Sequence, residues 1–167
     1  MFPNGTVGQE SGIGRVAGVA GAIQLILSQD RFGAAVAGAL GDLDGDGLND
    51  VAVSAPWHGV LYNNDGAIFV VFLREDDGVK DSVRLSMAAS GGLSFMPSGY
   101  QQMGWGLTVL PPVVTRGGDD VEDEDQDRHA VDLVISWPFH RTVAIVSLNS
   151  TGNVMNGSQT IIRAGQG

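Results

Sequence analysis

Cysteine is absent from all 167 residues, which excludes disulfide bridges and thiolate metal sites without fixing a redox compartment. Aromatic residues are sparse at 7%, and no long stretch carries a helical period. The longest apolar run is interrupted by Gln24, so no segment reaches the length that spans a bilayer, and direct membrane insertion is excluded. Lysines and arginines number only nine and form no basic stripe, which excludes nucleic acid as a partner. Met1-Phe-Pro-Asn-Gly5 lacks the charged start and apolar run of a signal peptide. Catalytic signatures are missing too: there is no nucleophile elbow and no phosphate-binding Gly-Lys-Ser/Thr loop. His58, His129 and His140 have no second histidine at helical ligand spacing. Gly12-Ile-Gly14-Arg-Val-Ala17 fits a loose dinucleotide fingerprint but has neither the strand before it nor the helix after it that such a site needs. These glycines read as part of a β-strand and its approach. No enzyme is expected.

What is present is a globular composition, 43% hydrophobic with 25 glycines, which points to a β protein with many tight turns. The net charge of −10 is local, because 11 of the 19 acidic residues lie at 42–50 and 119–127. Three Asn-x-Ser/Thr sequons, at Asn4, Asn149 and Asn156, would be glycan acceptors in a secreted eukaryotic protein.

The densest signal is Asp42-Leu-Asp-Gly-Asp-Gly-Leu-Asn-Asp50. Four carboxylates in one short loop repel one another, so the loop calls for a neutralising cation. Hard oxygen ligands at alternate positions, Asp42, Asp44, Asp46 and Asp50, point to calcium. Gly45 and Gly47 can take the positive φ that wraps a chain around an ion, and Leu48 would supply a backbone carbonyl. Two features argue against an EF-hand. Its bidentate twelfth ligand would fall on Val53, and Val-Ala-Val-Ser-Ala-Pro56 reads as a strand where a helix would begin. A solvated Asp- and Gly-rich turn is the plain alternative.

The chain also repeats itself. Phe32-Gly33, an acidic loop, Asp50 to Pro56 and Gly66 to Leu73 recur in order as Trp105-Gly106, an acidic segment, Asp132 to Pro138 and Arg141 to Leu148, with 73 residues between the two aromatic-glycine pairs. A fourth extended segment follows in each unit, Ser82 to Met87 and Ser158 to Arg163. Gly14 to Val19 and Ile23 to Leu27 read as the third and fourth strands of a preceding unit. Continuous apolar strands such as Ile68 to Leu73 require cover on both faces, as stacked four-stranded sheets provide.

Phe32-Gly33, the 42–50 loop and Ser54-Ala55-Pro56 together resemble the FG-GAP repeat of integrin α-chain β-propellers, with serine where that pattern usually has glycine. The resemblance is specific over residues 31–73. It implies an all-β fold, a partial β-propeller of four-stranded antiparallel blades with about two and a half repeats. Residues 1–30 would hold the last strands of one blade, 31–89 a blade with the calcium loop, and 100–167 a degenerate blade with an acidic insertion at 116–128. By this likeness calcium is structural, on the face opposite the ligand-binding surface, held by the side chains of Asp42, Asp44, Asp46 and Asp50 and the carbonyl of Leu48. In the second unit Glu124, Gln126, Arg128 and Ala130 stand opposite Asp42, Asp44, Asp46 and Leu48, and an arginine at a ligand position argues against calcium there.

The implied function is a noncatalytic module of an integrin-like cell-surface or secreted protein that binds another protein, an extracellular ligand or a partner subunit, and serves adhesion. Trp57 and His58, after Pro56, are loop candidates for recognition. The same repeat pattern also resembles the propeller that accompanies the hydrolase domain of glycosylphosphatidylinositol-specific phospholipase D, which is the competing expectation. A complete, purely structural assembly protein is a third, but two and a half blades leave open sheet faces. The remaining blades are expected from a longer chain or from oligomerisation.

Overall fold

A computed structural model describes residues 26–38, 40–59, 64–76, 78–86, 93, 102–110 and 131–165. Within these residues the protein is built of two four-stranded antiparallel sheets. The first contains β1 (Val36–Ala37), β2 (Val51–Ala55), β3 (Ala67–Leu73) and β4 (Val79–Leu85) in sequential order. The second contains β5 (Gly106–Leu110), β6 (Val131–Trp137), β7 (Thr142–Leu148) and β8 (Val154–Arg163), again in sequential order. The only helical segments among the described residues are 3-10 turns at Ser28–Asp30 and Pro138–His140. This is the all-β arrangement of four-stranded antiparallel blades that the repeat pattern implies.

Hydrophobic patterning explains where each sheet lies. Along β6 and β7 burial alternates, with Leu133, Ile135, Trp137, Ala144, Val146 and Leu148 turned inward, as expected of strands with one covered face. These side chains join Ala52, Ile68, Val70, Phe72 and Leu85 of the first sheet in one core. The sheets therefore stack face to face. β3 has no such alternation: Ala67 through Phe72 are all buried. Ala67, Phe69 and Val71 belong to a second cluster with Ile26, Val53 and Ala55, to which Phe32 is packed. The first sheet is thus covered on both sides, and a continuous apolar run is what such a strand needs.

Close backbone approach fixes the seam between the two units. Gly66 has φ +83°, and a Cβ there would lie 2.4 Å from the Met103 backbone nitrogen. Met103 N–H donates to the Asp65 carbonyl at 3.1 Å and Gln102 N–H to the Asn64 carbonyl at 2.9 Å. Only glycine combines that dihedral with that contact.

Some expectations shift or fall elsewhere. β4 starts at Val79 and β8 at Val154, earlier than the segments from Ser82 and Ser158. The expected strand over Gly14 to Val19, most of Ile23 to Leu27, and the aligned Glu124, Gln126, Arg128 and Ala130 with the 116–128 insertion lie outside the described residues. Ile26 and Leu27 immediately precede the first 3-10 turn, and Ile26 is buried.

Candidate metal centre

The 42–50 segment joins β1 to β2, so it lies at one end of the first sheet together with the β3–β4 turn. Gly45 and Gly47 have φ of +78° and +91°, which curls the backbone so that successive N–H groups point inward. Asp42 collects them. Its Oδ1 accepts from Gly45 N–H at 2.7 Å and Asp46 N–H at 2.9 Å, and its Oδ2 from Gly47 N–H at 2.7 Å. Asp50 is the anchor at the other end of the loop. It is 1% exposed, and its carboxylate accepts from Leu43 N–H at 3.0 Å and from Leu73 N–H, in β3, at 3.2 Å. Its own N–H donates to the Gly41 carbonyl at 2.8 Å. Burial pushes the Asp50 carboxyl above its ordinary range, against the pull of the two N–H donors.

Asp42, Asp44 and Asp50 each offer a carboxylate oxygen, and these lie within 4.8 Å of one another. That separation does not exceed twice a calcium–oxygen bond of about 2.4 Å, so hard oxygens of this number and charge fit a divalent cation. Asp46 is not in that trio. Its carboxylate faces Lys80, whose Nζ is 2.7 Å from Asp46 Oδ2 and 2.8 Å from Asp44 Oδ2. The lysine contact, then backbone hydrogen bonding from Leu48, hold the Asp46 carboxyl below its ordinary range. Lys80 is held above its own range by the same two carboxylates. Leu48 is half-buried between Asp46 and Asp50.

Sequence reasoning missed Lys80, which stands 34 and 36 positions from its partners. The one available signal was topological, since the start of a fourth strand must return to the end of the sheet that carries the first connection.

The opposite ends of the strands carry a different chemistry. Arg31 precedes β1 and lies 4.1 Å over the Trp57 ring and 5.6 Å from the Trp105 ring, within cation–π range. Trp105 meets Phe139 edge-on at 6.1 Å, and Phe139 is 68% exposed. Trp57, Arg31, Trp105 and Phe139 thus form a row that crosses both units. Phe32 packs edge-on against Phe69 at 5.6 Å, as a core residue should, whereas Trp105 contributes to the row.

His58 is not a surface residue. It is buried, its Nδ1 is 2.9 Å from Asp30 Oδ2, and its Nε2 is 3.4 Å from Arg84 Nη1. Asp30 also accepts from Leu27 N–H at 2.8 Å. This histidine ties the turn before β1 to the turn after β2 and to β4, and so the recognition role expected of it falls away. His140 is half-buried in the second 3-10 turn, and His129 lies outside the described residues. Among the sequons, Asn149 uses its Oδ1 to accept from Thr151 Oγ1 at 2.8 Å, Asn156 is exposed on β8, and Asn4 lies outside the described residues.

Comparison with known proteins gives this architecture its class. Residues 34–71, from the approach to β1 through most of β3, match the FG-GAP repeat family. The chain is 35% identical over 95 residues to integrin alpha-5 of Xenopus laevis, an alignment covering 55% of this chain and 7% of that protein. It is 32% identical over 122 residues to integrin alpha-PS3 of Drosophila melanogaster, covering 72% of this chain and 10% of that protein. The chain therefore carries an FG-GAP repeat and is integrin α-like, and it spans a tenth or less of the length of these relatives. Among the described residues no helix is long and apolar enough to cross a membrane.

Proposed function

We propose that this chain is a calcium-binding, noncatalytic β-propeller module of an integrin-like protein at the cell surface or outside the cell, where it binds another protein in adhesion. The observation that carries the calcium reading is the convergence of Asp42, Asp44 and Asp50 within 4.8 Å inside the segment that matches the FG-GAP repeat. Asp42, Asp44, Asp46 and Asp50 would hold the ion with their side chains and Leu48 with its carbonyl. The bound ion supplies charge neutralisation, and no reaction is asked of it. The protein's own contribution is the preformed bend, built by Gly45 and Gly47 and pinned by buried Asp50.

Protein binding rests on the integrin α likeness and on the aromatic and cationic row at the far ends of the strands, in which Arg31 and Phe139 are exposed and Trp57 and Trp105 half-buried. The partner is an extracellular ligand or a partner subunit, and further blades come from a longer chain or from oligomerisation. Calorimetric titration of the chain with calcium, beside Asp44→Ala, tests the ion site. One saturable binding event in the parent and its weakening by tenfold or more in the variant is the expected result. A parent protein with neither heat nor thermal stabilisation in calcium would overturn the reading.

A further inference from the structure

The ammonium of Lys80 stands at one edge of the aspartate loop. Its Nζ stands 2.8 Å from Asp44 Oδ2 and 2.7 Å from Asp46 Oδ2, and Asp44 also belongs to the trio of converging carboxylates. One carboxylate is therefore claimed by two cations. A compact ammonium and a divalent ion drawn to the same carboxylate repel each other, and both need its oxygen lone pairs. We propose that Lys80 is a built-in counter-cation that competes with the divalent ion for Asp44 and Asp46. This rests on the calcium reading and adds a regulator to that same site.

Mobility decides which partner yields. The Lys80 side chain is 44% exposed, against 20% and 25% for those of Asp44 and Asp46. A lysine on a four-carbon stem can swing into water at small cost. The carboxylates are held by the bend, since Asp44 Oδ1 accepts from Asp46 N–H and Asp46 Oδ1 from Leu48 N–H. Without the divalent ion, Lys80 neutralises the loop and ties the start of β4 to it. When the ion binds, Lys80 is displaced into solvent. The loop then has two closed states, one held by its own lysine and one by the metal. Divalent affinity is lower than the four carboxylates alone would give.

Calcium titration of the parent chain, Lys80→Met, Lys80→Gln and Lys80→Arg reads the competition, with thermal unfolding of each in EGTA and in saturating calcium. Arg74→Met serves as the control for general charge. Arg74 sits on the same edge but pairs with Asp76 at 2.9 Å rather than with the loop. Lys80→Met and Lys80→Gln are expected to bind calcium roughly three- to tenfold more tightly, the scale of one or two exposed ion pairs. Both should unfold earlier than the parent in EGTA and match it in saturating calcium. Lys80→Arg and Arg74→Met should stay within about twofold of the parent. Calcium binding that is present but equal or weaker in Lys80→Met and Lys80→Gln overturns the competition and leaves the ion site standing. An increase in Arg74→Met as large as that in Lys80→Met overturns it as well. Absence of calcium heat from every protein overturns the calcium reading and, with it, this inference.

Discussion

Asp50 carries more of the local structure than its place at the end of an acidic loop implies. Buried to 1% exposure, it accepts from Leu43 N–H and Leu73 N–H, and so joins the loop to β3. Asp50→Ala takes the acceptor from one buried and one partly buried N–H, which costs about 2 to 4 kcal/mol. Urea unfolding in EGTA should show that loss even with no metal present. Asp65 gives the pH prediction. Burial raises its carboxyl above the ordinary range, so the charged form is disfavoured in the folded state. The stabilising contribution of its protonated form is present below the unfolded value and lost as pH rises through the folded one. Asp65→Asn should therefore raise the unfolding temperature relative to the parent at pH ~7, with the difference vanishing below pH ~3. Gly66→Ala combines a left-handed backbone with a Cβ 2.4 Å from Met103 N, and a loss of about 2 to 4 kcal/mol is expected in the same assay.

At the level of elements, β3 is the keystone, because its side chains enter both cores. Phe69 is 1% exposed and meets Phe32 and His58 edge-on at 5.6 and 5.7 Å. Phe69→Ala should cost about 3 to 5 kcal/mol in chemical unfolding, far more than truncation of a half-buried residue such as Val143 on the outer face of β7. The apolar runs of β2, β3, β6 and β7 were legible because burial writes itself into residue type. Four-strand units were legible because the order of signals recurs. The start of β4 was not, since Val79-Lys-Asp-Ser82 has too little apolar content to read as strand and is recruited by pairing with β3. The 42–50 bend was legible from its glycines. Lys80 was hidden, because a contact across 34 residues leaves no trace in local spacing. His58 misled for a related reason: Pro56-Trp57 marks a surface turn, and only the fold turns the next side chain inward to Asp30.

For the whole molecule the two sheets differ in what covers them. The first has cores on both faces, whereas the outer face of the second presents Val134, Val143 and Ile145, half-buried, and Ile162, 53% exposed. Such a face matches the one already packed between the sheets and calls for another layer. In isolation the chain should self-associate in light scattering, and Ile162→Lys should shift it toward monomer without lowering its unfolding temperature by more than a few degrees. The acidic loop and the aromatic row lie at opposite ends of the strands, so metal removal should loosen one end while leaving the other in place. Lys80 limits that loosening, since the loop keeps a counter-cation of its own when calcium is withdrawn.

Equilibrium dialysis of the purified chain against calcium, with the metal counted by atomic emission, tests the central claim most directly. One tightly held ion per chain is predicted for the parent and none for Asp42→Asn combined with Asp44→Asn. A parent that retains no calcium above the outer buffer, or a double variant that retains as much as the parent, would contradict the assignment of the ion to this loop.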